Sequence, residues 1–249
     1  MKRLLGLLTV LALVAPVHAH ILWLVPTKGQ VTPVRATQQA KPDSVATKLL
    51  ADARAGRAVW NNFPGFSADL DINVNGKIAK GKLAVAASGK LALKLEADDG
   101  VKEWTRRTLA SLVSHRLPGT AEDTPCAFID SVAQHPAGRA IKVLNDELHS
   151  SYRIRDGQII EVNRALKDTR FTITVLENTW NKEKQYLPVS YVVNTWDLKT
   201  NALVNSVAHH NTWTRIGAFD LPKTVRSVNA KADQLDNRLV TFSNWQLAK

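Results

Sequence analysis

The sequence predicts an α+β fold: a strongly curved antiparallel sheet, an unclosed barrel, clasping two principal helices. Three observations carry that expectation. The stretch 66–74 alternates strictly, with Phe66, Ala68, Leu70, Ile72 and Val74 on one side and Ser67, Asp69, Asp71 and Asn73 on the other. From Ile141 onwards, short β-rich runs follow one another through short connections, which suits a meander and not βαβ units. Two amphipathic segments, near 43–60 and 99–115, each require a partner surface, and a fully closed barrel would leave them none.

The elements can be justified in chain order. Lys2 and Arg3 precede an apolar run from Leu4 to Ala15, and Val17-His18-Ala19 places small residues where a signal peptidase cuts. Residues 1–19 are therefore expected to be a secretory signal peptide, too short in its apolar part to span a bilayer. Pro26, Pro33 and Pro42 make 20–42 an extended N-terminal arm. Asp43 is an expected N-cap for the first helix, which Asn61-Asn62-Phe63-Pro64-Gly65 stops. Asn75-Gly76 signals a hairpin after the first strand. The next strand runs through Gly81, Leu83 and Val85, and Ser88-Gly89 turns it into a third through Leu91, Leu93 and Leu95. Asp98-Asp99 opens the second helix, with Val101, Trp104, Thr105, Leu109, Leu112 and Val113 on one face. Residues 120–136 read as a loop. Strands are expected at 140–145, 151–155, 158–164, 169–180, 187–197, 202–216, 224–230 and 237–247, all within one domain from 43 to 249.

Composition narrows the function. A chain of 249 residues, 45% hydrophobic and 22% charged, is neither disordered nor low in complexity. Its single cysteine, Cys126, excludes an internal disulfide and any cysteine-built metal site. No phosphate-binding glycine loop, Gly-x-Ser-x-Gly or His-Glu-x-x-His motif occurs, so no catalytic constellation and no cofactor are expected. The net charge of +11 falls to +9 without Lys2 and Arg3. Lys102, Arg106 and Arg107 are the densest basic cluster, too small for a nucleic-acid footprint. An exported basic protein instead meets anionic membrane surfaces.

Several segments resemble domain-of-unknown-function family 3386, a family of uncharacterised exported bacterial proteins. The carrying residues are Trp60-Asn61-Asn62-Phe63-Pro64-Gly65-Phe66-Ser67-Ala68-Asp69, then Gly76 and Gly81. Leu187-Pro188-Val189-Ser190-Tyr191 and Arg215-Ile216-Gly217-Ala218-Phe219-Asp220-Leu221-Pro222 continue the pattern, which covers about 43–248. That family brings no catalytic residues with it. More distantly, the order of helix, hairpin and long meander is similar to that of outer-membrane lipoprotein carriers. This similarity implies an unclosed barrel with helices as a lid over an apolar cavity.

Three sites are candidates. The first is a lipophilic ligand site with Phe66, Leu70 and Ile72 on the concave face and Trp60 and Trp104 on the helices above it. The same residues also suit a packed core, and the sequence leaves both readings open. The second is copper at His20, which would offer its α-amino group and its imidazole at the mature N-terminus. His209 and His210 are adjacent on a strand, so only one of them could join such a site. The third is acid–base chemistry by Asp69 and Asp71, which share one strand face but alternate with apolar residues on the expected solvent side. The reading is therefore an exported carrier or sensor of a lipophilic ligand. The alternatives are a non-catalytic envelope interaction module or, more remotely, a copper-binding protein. N-terminal sequencing of the exported protein should read His-Ile-Leu-Trp; a retained Met1 would refute export by cleavage.

Overall fold

Alternating segments become strands in the computed structural model, which describes residues 41–119, 124–132, 134–232 and 234–248. The expected signal peptide and nearly all of the extended arm lie outside these residues. Helix α1 (Ser44–Ala55) is followed by β1 (Gly65–Val74), β2 (Lys77–Ala86), β3 (Leu91–Leu95) and α2 (Asp99–Ser114). The chain continues as a meander of β4 (Cys126–Phe128), β5 (Arg139–Val143), β6 (Ser151–Arg155), β7 (Gln158–Leu166) and β8 (Thr169–Trp180). It ends with β9 (Tyr186–Asp197), β10 (Leu203–Ile216), β11 (Phe219–Lys231) and β12 (Gln234–Leu247). All twelve strands form one antiparallel sheet in the order β3-β2-β1-β12-β11-β10-β9-β8-β7-β6-β5-β4. The sheet does not close, because β3 and β4 remain as its two edges. Register shifts in β1, β6, β8, β9 and β10 bend the strands as bulges do.

Local chemistry explains the boundaries. The Asp43 carboxylate accepts from the Val45 and Ala46 amides, and Asp98 accepts from Val101, so both expected caps are present. Asn75 (φ 51°) and Gly76 (φ 90°) adopt the left-handed backbone that the β1–β2 hairpin requires. Three expectations need correction. The first helix stops at Ala55, not near Trp60: Gly56 ends it, and Arg57 then bridges to Tyr186 in parallel while the Ala58 amide donates to the Tyr186 carbonyl. The expected loop 120–136 contains β4, a three-residue edge strand whose only strand partner is β5. Finally, β11 starts at Phe219 despite Pro222, because Pro222 lies opposite Trp213 at a register shift where a missing N–H is tolerated.

Each helix builds its own core at one end of the sheet. Leu109 and Val113 of α2 pack with Phe66, Leu70, Ile72, Leu83, Val85, Leu221, Val225, Val240 and Phe242. Ala46, Leu50 and Ala53 of α1 pack with Cys126, Ile141, Tyr152 and Ile154. The helices thus cover the two ends of one sheet face. In α2, Leu109 is fully buried whereas Leu112 only borders the core. Leu109→Ala should therefore cost about 2–5 kcal/mol in urea unfolding, and Leu112→Ala distinctly less; equal losses would mean that α2 docks through a different face.

Candidate functional site

Between the two cores the helix-bearing face continues across β7–β10. Cross-strand pairing aligns Val162, Ile173, Val193 and Val207 in one row, with Phe171 and Val175 on either side of Ile173 in β8. All six are only half-buried, and Val162 packs against the α1-side core.

Polar side chains interrupt the floor at positions where alternation would place apolar ones. The Tyr191 ring stacks on His209 with centroids 4.5 Å apart. Tyr191 is also hydrogen-bonded to the Asn211 side chain, and burial raises its hydroxyl pKa. Asn211 is 4% exposed, and its Oδ1 has no partner. Nδ1 of His209 is likewise buried and unpartnered, and desolvation brings that imidazole down to about 4. His209 is thus neutral at ordinary pH.

Cationic groups gather where the end of α2 meets the segment after α1. Arg116 is buried; its Nη1 donates to the Ala58 carbonyl at 2.9 Å, and its guanidinium lies 5.5 Å over the Trp213 ring. Burial, followed by the charge of Arg57, lowers the Arg116 pKa to about 10. Arg164 of β7 donates from Nη2 to the Tyr152 hydroxyl at 3.3 Å, while its Nε is buried without a partner. The Nε of Arg57 is in the same condition. His115 donates from Nδ1 to the Ser111 carbonyl. Its pKa is lowered chiefly by desolvation and further by the charges of Arg116, Arg57 and Arg164.

The five residues expected to line a ligand site lie in and around the α2-side core. Trp60, Phe66, Leu70 and Ile72 are at most 3% exposed, and Trp104 borders that core with the Arg238 guanidinium 5.1 Å from its ring. Trp60 packs against Phe63 and Phe66 and donates from Nε1 to the Asp220 carbonyl. A depression of about 440 Å³ opens beside Phe66, Val85, Leu91 and Leu247 at the β3 side, and a smaller one of about 190 Å³ is lined by Trp60, Asn181, Arg215 and Asp220. Arg57, Arg116, Arg164 and Asn211 do not figure in the sequence-based expectation, and His209 figures there only as a possible copper ligand. The signal available was parity: Tyr191, His209 and Asn211 share a face with Val193 and Val207.

The other candidates are placed as follows. His20 lies outside the described residues. His209 and His210 do face opposite ways, since His210 is exposed and hydrogen-bonded to Ser190 at 2.9 Å. Among the described residues, no three His, Cys, Asp or Glu side chains gather as a metal site would require. Asp69 and Asp71 sit on the outer face, paired with Lys82 at 3.4 Å and Lys80 at 3.8 Å. The Cys126 thiol is buried against α1, and desolvation raises its pKa. Among the described residues no helix is long and apolar enough to cross a membrane.

The fold defines an α+β protein with an open antiparallel sheet and two helices on one of its faces. The chain belongs to DUF3386, a family of proteins of unknown function whose family model matches residues 41–248. No curated protein matches it. Among solved structures, a DUF1329 family protein from Desulfovibrio piger aligns at 9% identity and a TM-score of 0.29, covering 83% of this chain and 93% of that one. MucB in complex with MucA(peri) aligns at 11% identity and a TM-score of 0.19, covering 83% and 100%. At those scores neither likeness carries an argument about fold or ligand.

The site makes stability depend on pH. His209, and His115 in the same direction, bind protons less readily when folded than when unfolded. Stability should therefore fall as pH drops from about 6.5 through about 4. His209→Asn should flatten that decline in pH-resolved denaturant melts; an unchanged slope would show that His209 is not desolvated.

Proposed function

We propose that the protein is a carrier or sensor of a lipophilic ligand in the cell envelope, exported by the signal peptide read in residues 1–19. The observation that supports this reading is the half-buried apolar row Ile173-Val193-Val207, which continues from Val162 at the border of the α1-side core. Trp60, Phe66, Leu70 and Ile72, buried in the α2-side core, and Trp104 at its border would bound the ligand at the other end. Burial of ten methylenes would contribute up to roughly 8 kcal/mol, at about 0.8 per CH₂. Ordering costs reduce that to affinities in the micromolar range.

One end of the sheet also suits contact with an anionic membrane surface. Leu166, Leu198, Leu203 and Val204 are exposed at the adjacent β7–β8 and β9–β10 turns, alongside Lys167 and Lys199. An apolar tip with flanking cations is how a peripheral protein samples a bilayer. The same exposed tip favours a second reading, an envelope interaction module that docks another protein there.

Adjacent positions on β10 separate these readings. Val207 faces the groove, whereas Ala208 is exposed on the outer face. Val207→Trp should weaken binding of a fluorescent fatty-acid probe at least tenfold, while Ala208→Trp leaves it within twofold. If the folded protein shows no saturable probe binding, the interaction-module reading replaces the carrier.

A further inference from the structure

A sheet that does not close leaves two edge strands, and an unpaired edge is a template for another chain. The protein treats its two edges differently. On β4 the chain covers the edge itself: the Asp43 amide donates to the Cys126 carbonyl at 2.8 Å, and the Cys126 amide donates to the Thr47 hydroxyl at 3.1 Å. On β3 nothing does so among the described residues. The Ala86 amide donates to the Lys90 carbonyl and the Glu96 amide to the Lys80 carbonyl, so the even-numbered residues here turn their backbone towards β2. The amides and carbonyls of Leu91, Leu93 and Leu95 therefore point outward, with no strand beyond them.

The side chains along that edge are basic. From the start of β2 to just past β3, Lys77, Lys80, Lys82, Lys90 and Lys94 stand against the single acid Glu96, and all five lysines are exposed. Asp71 lies 3.8 Å from Lys80 and Asp69 3.4 Å from Lys82, whereas Lys90 and Lys94 make no salt bridge among the described residues. Strand register also sets Lys94 directly opposite Lys82, and like charges so placed repel.

We propose that the β3 edge binds an extended acidic peptide of a partner protein as a further strand of the sheet. Such strand addition takes its affinity from main-chain bonds and its specificity from alternate side chains. Lys90 and Lys94 share one face with Ala92 between them, so the fitting segment carries acids four residues apart with a small residue midway. Leu91, Leu93 and Leu95 share the other face and are half-buried, which suits β-branched residues at the positions between. The depression of about 440 Å³ beside Lys90, Leu91 and Ala92 leaves room for a partner side chain along the first half of the strand. The same lysines act against a second copy of this chain, because an antiparallel β3–β3 pair centred on Ala92 sets Lys90 against Lys94. The edge lies apart from the row at β7–β10, and the inference does not depend on the carrier reading.

The test uses the full mature protein and three dye-labelled, end-blocked peptides: Glu-Val-Thr-Val-Glu, Lys-Val-Thr-Val-Lys, and the acidic peptide N-methylated at both valines. In fluorescence anisotropy at low salt the acidic peptide should bind at least about tenfold more tightly than the basic one. N-methylation removes the donors that face the edge and should weaken binding by at least about tenfold. At saturation, hydrogen exchange of the Leu91, Leu93 and Leu95 amides should slow by at least about tenfold. The variant Lys90→Glu/Lys94→Glu should reverse the order of the two unmethylated peptides; if it does not fold, the wild-type peptide comparison and the exchange rates decide the matter. Equal affinity for the acidic and basic peptides, no saturable binding, or unchanged exchange of those three amides at saturation would each overturn the proposal. Slowed exchange of the same amides with rising protein concentration and no peptide would overturn it in favour of an interface between copies of the chain.

Discussion

An antiparallel sheet presents one apolar face, and here that face is far larger than two helices can cover. Twelve strands at about 4.8 Å spacing span roughly 50 Å, and strands of about ten residues add roughly 30 Å in the other direction. Helices of 12 and 16 residues, about 10 Å across and 1.5 Å per residue, shade on the order of 400 Å² of it. The rest of the molecule follows from that mismatch. Bulges curve the sheet so that its ends rise around the helices, each helix seals the end it reaches, and the strands between keep a half-exposed floor. A third helix or a closed barrel would have covered those strands.

Arg116 joins the two halves: its side chain holds the Ala58 carbonyl, its own carbonyl accepts from the Trp60 amide, and its guanidinium rests on Trp213. The segment from Gly56 to Trp60 is thereby tied to β9 through Tyr186 and to the end of α2 through Arg116. A short piece of backbone couples the two cores.

Much of the architecture was legible because it is written in nearest-neighbour chemistry. The caps at Asp43 and Asp98, the Asn75-Gly76 turn and the alternation of 66–74 are each decided within a few residues. So are nearly all the meander strands, whose partners are their sequence neighbours. What escaped depends on distant contacts. Arg57 to Trp60 leave the helix because Tyr186 offers them a strand to pair with, more than a hundred residues away. Cys126 to Phe128 have too few residues to show a period, and only β5 makes them a strand. The candidate site divides the same way: the apolar positions were readable from parity, but whether Trp60 and Ile72 line a cavity or fill a core depends on where α2 lands. The arginines carry no local pattern, since an isolated Arg on a strand or at a helix end looks like any solvated charge.

The pairing of β1 with β12 sets the order in which the chain can complete itself. Phe66 lies opposite Leu247, and Ile72 opposite Val240, so the first strand and the last are neighbours across nearly the full sequence. In a chain delivered N-terminus first, the edge of β1 has no strand partner on that side until the final strand arrives. The meander from β4 to β10, by contrast, can assemble hairpin by hairpin as it emerges, through contacts of short sequence separation. Maturation is therefore divided into a fast, local half and a half that waits for the end of the chain. The waiting half is the one most exposed to aggregation.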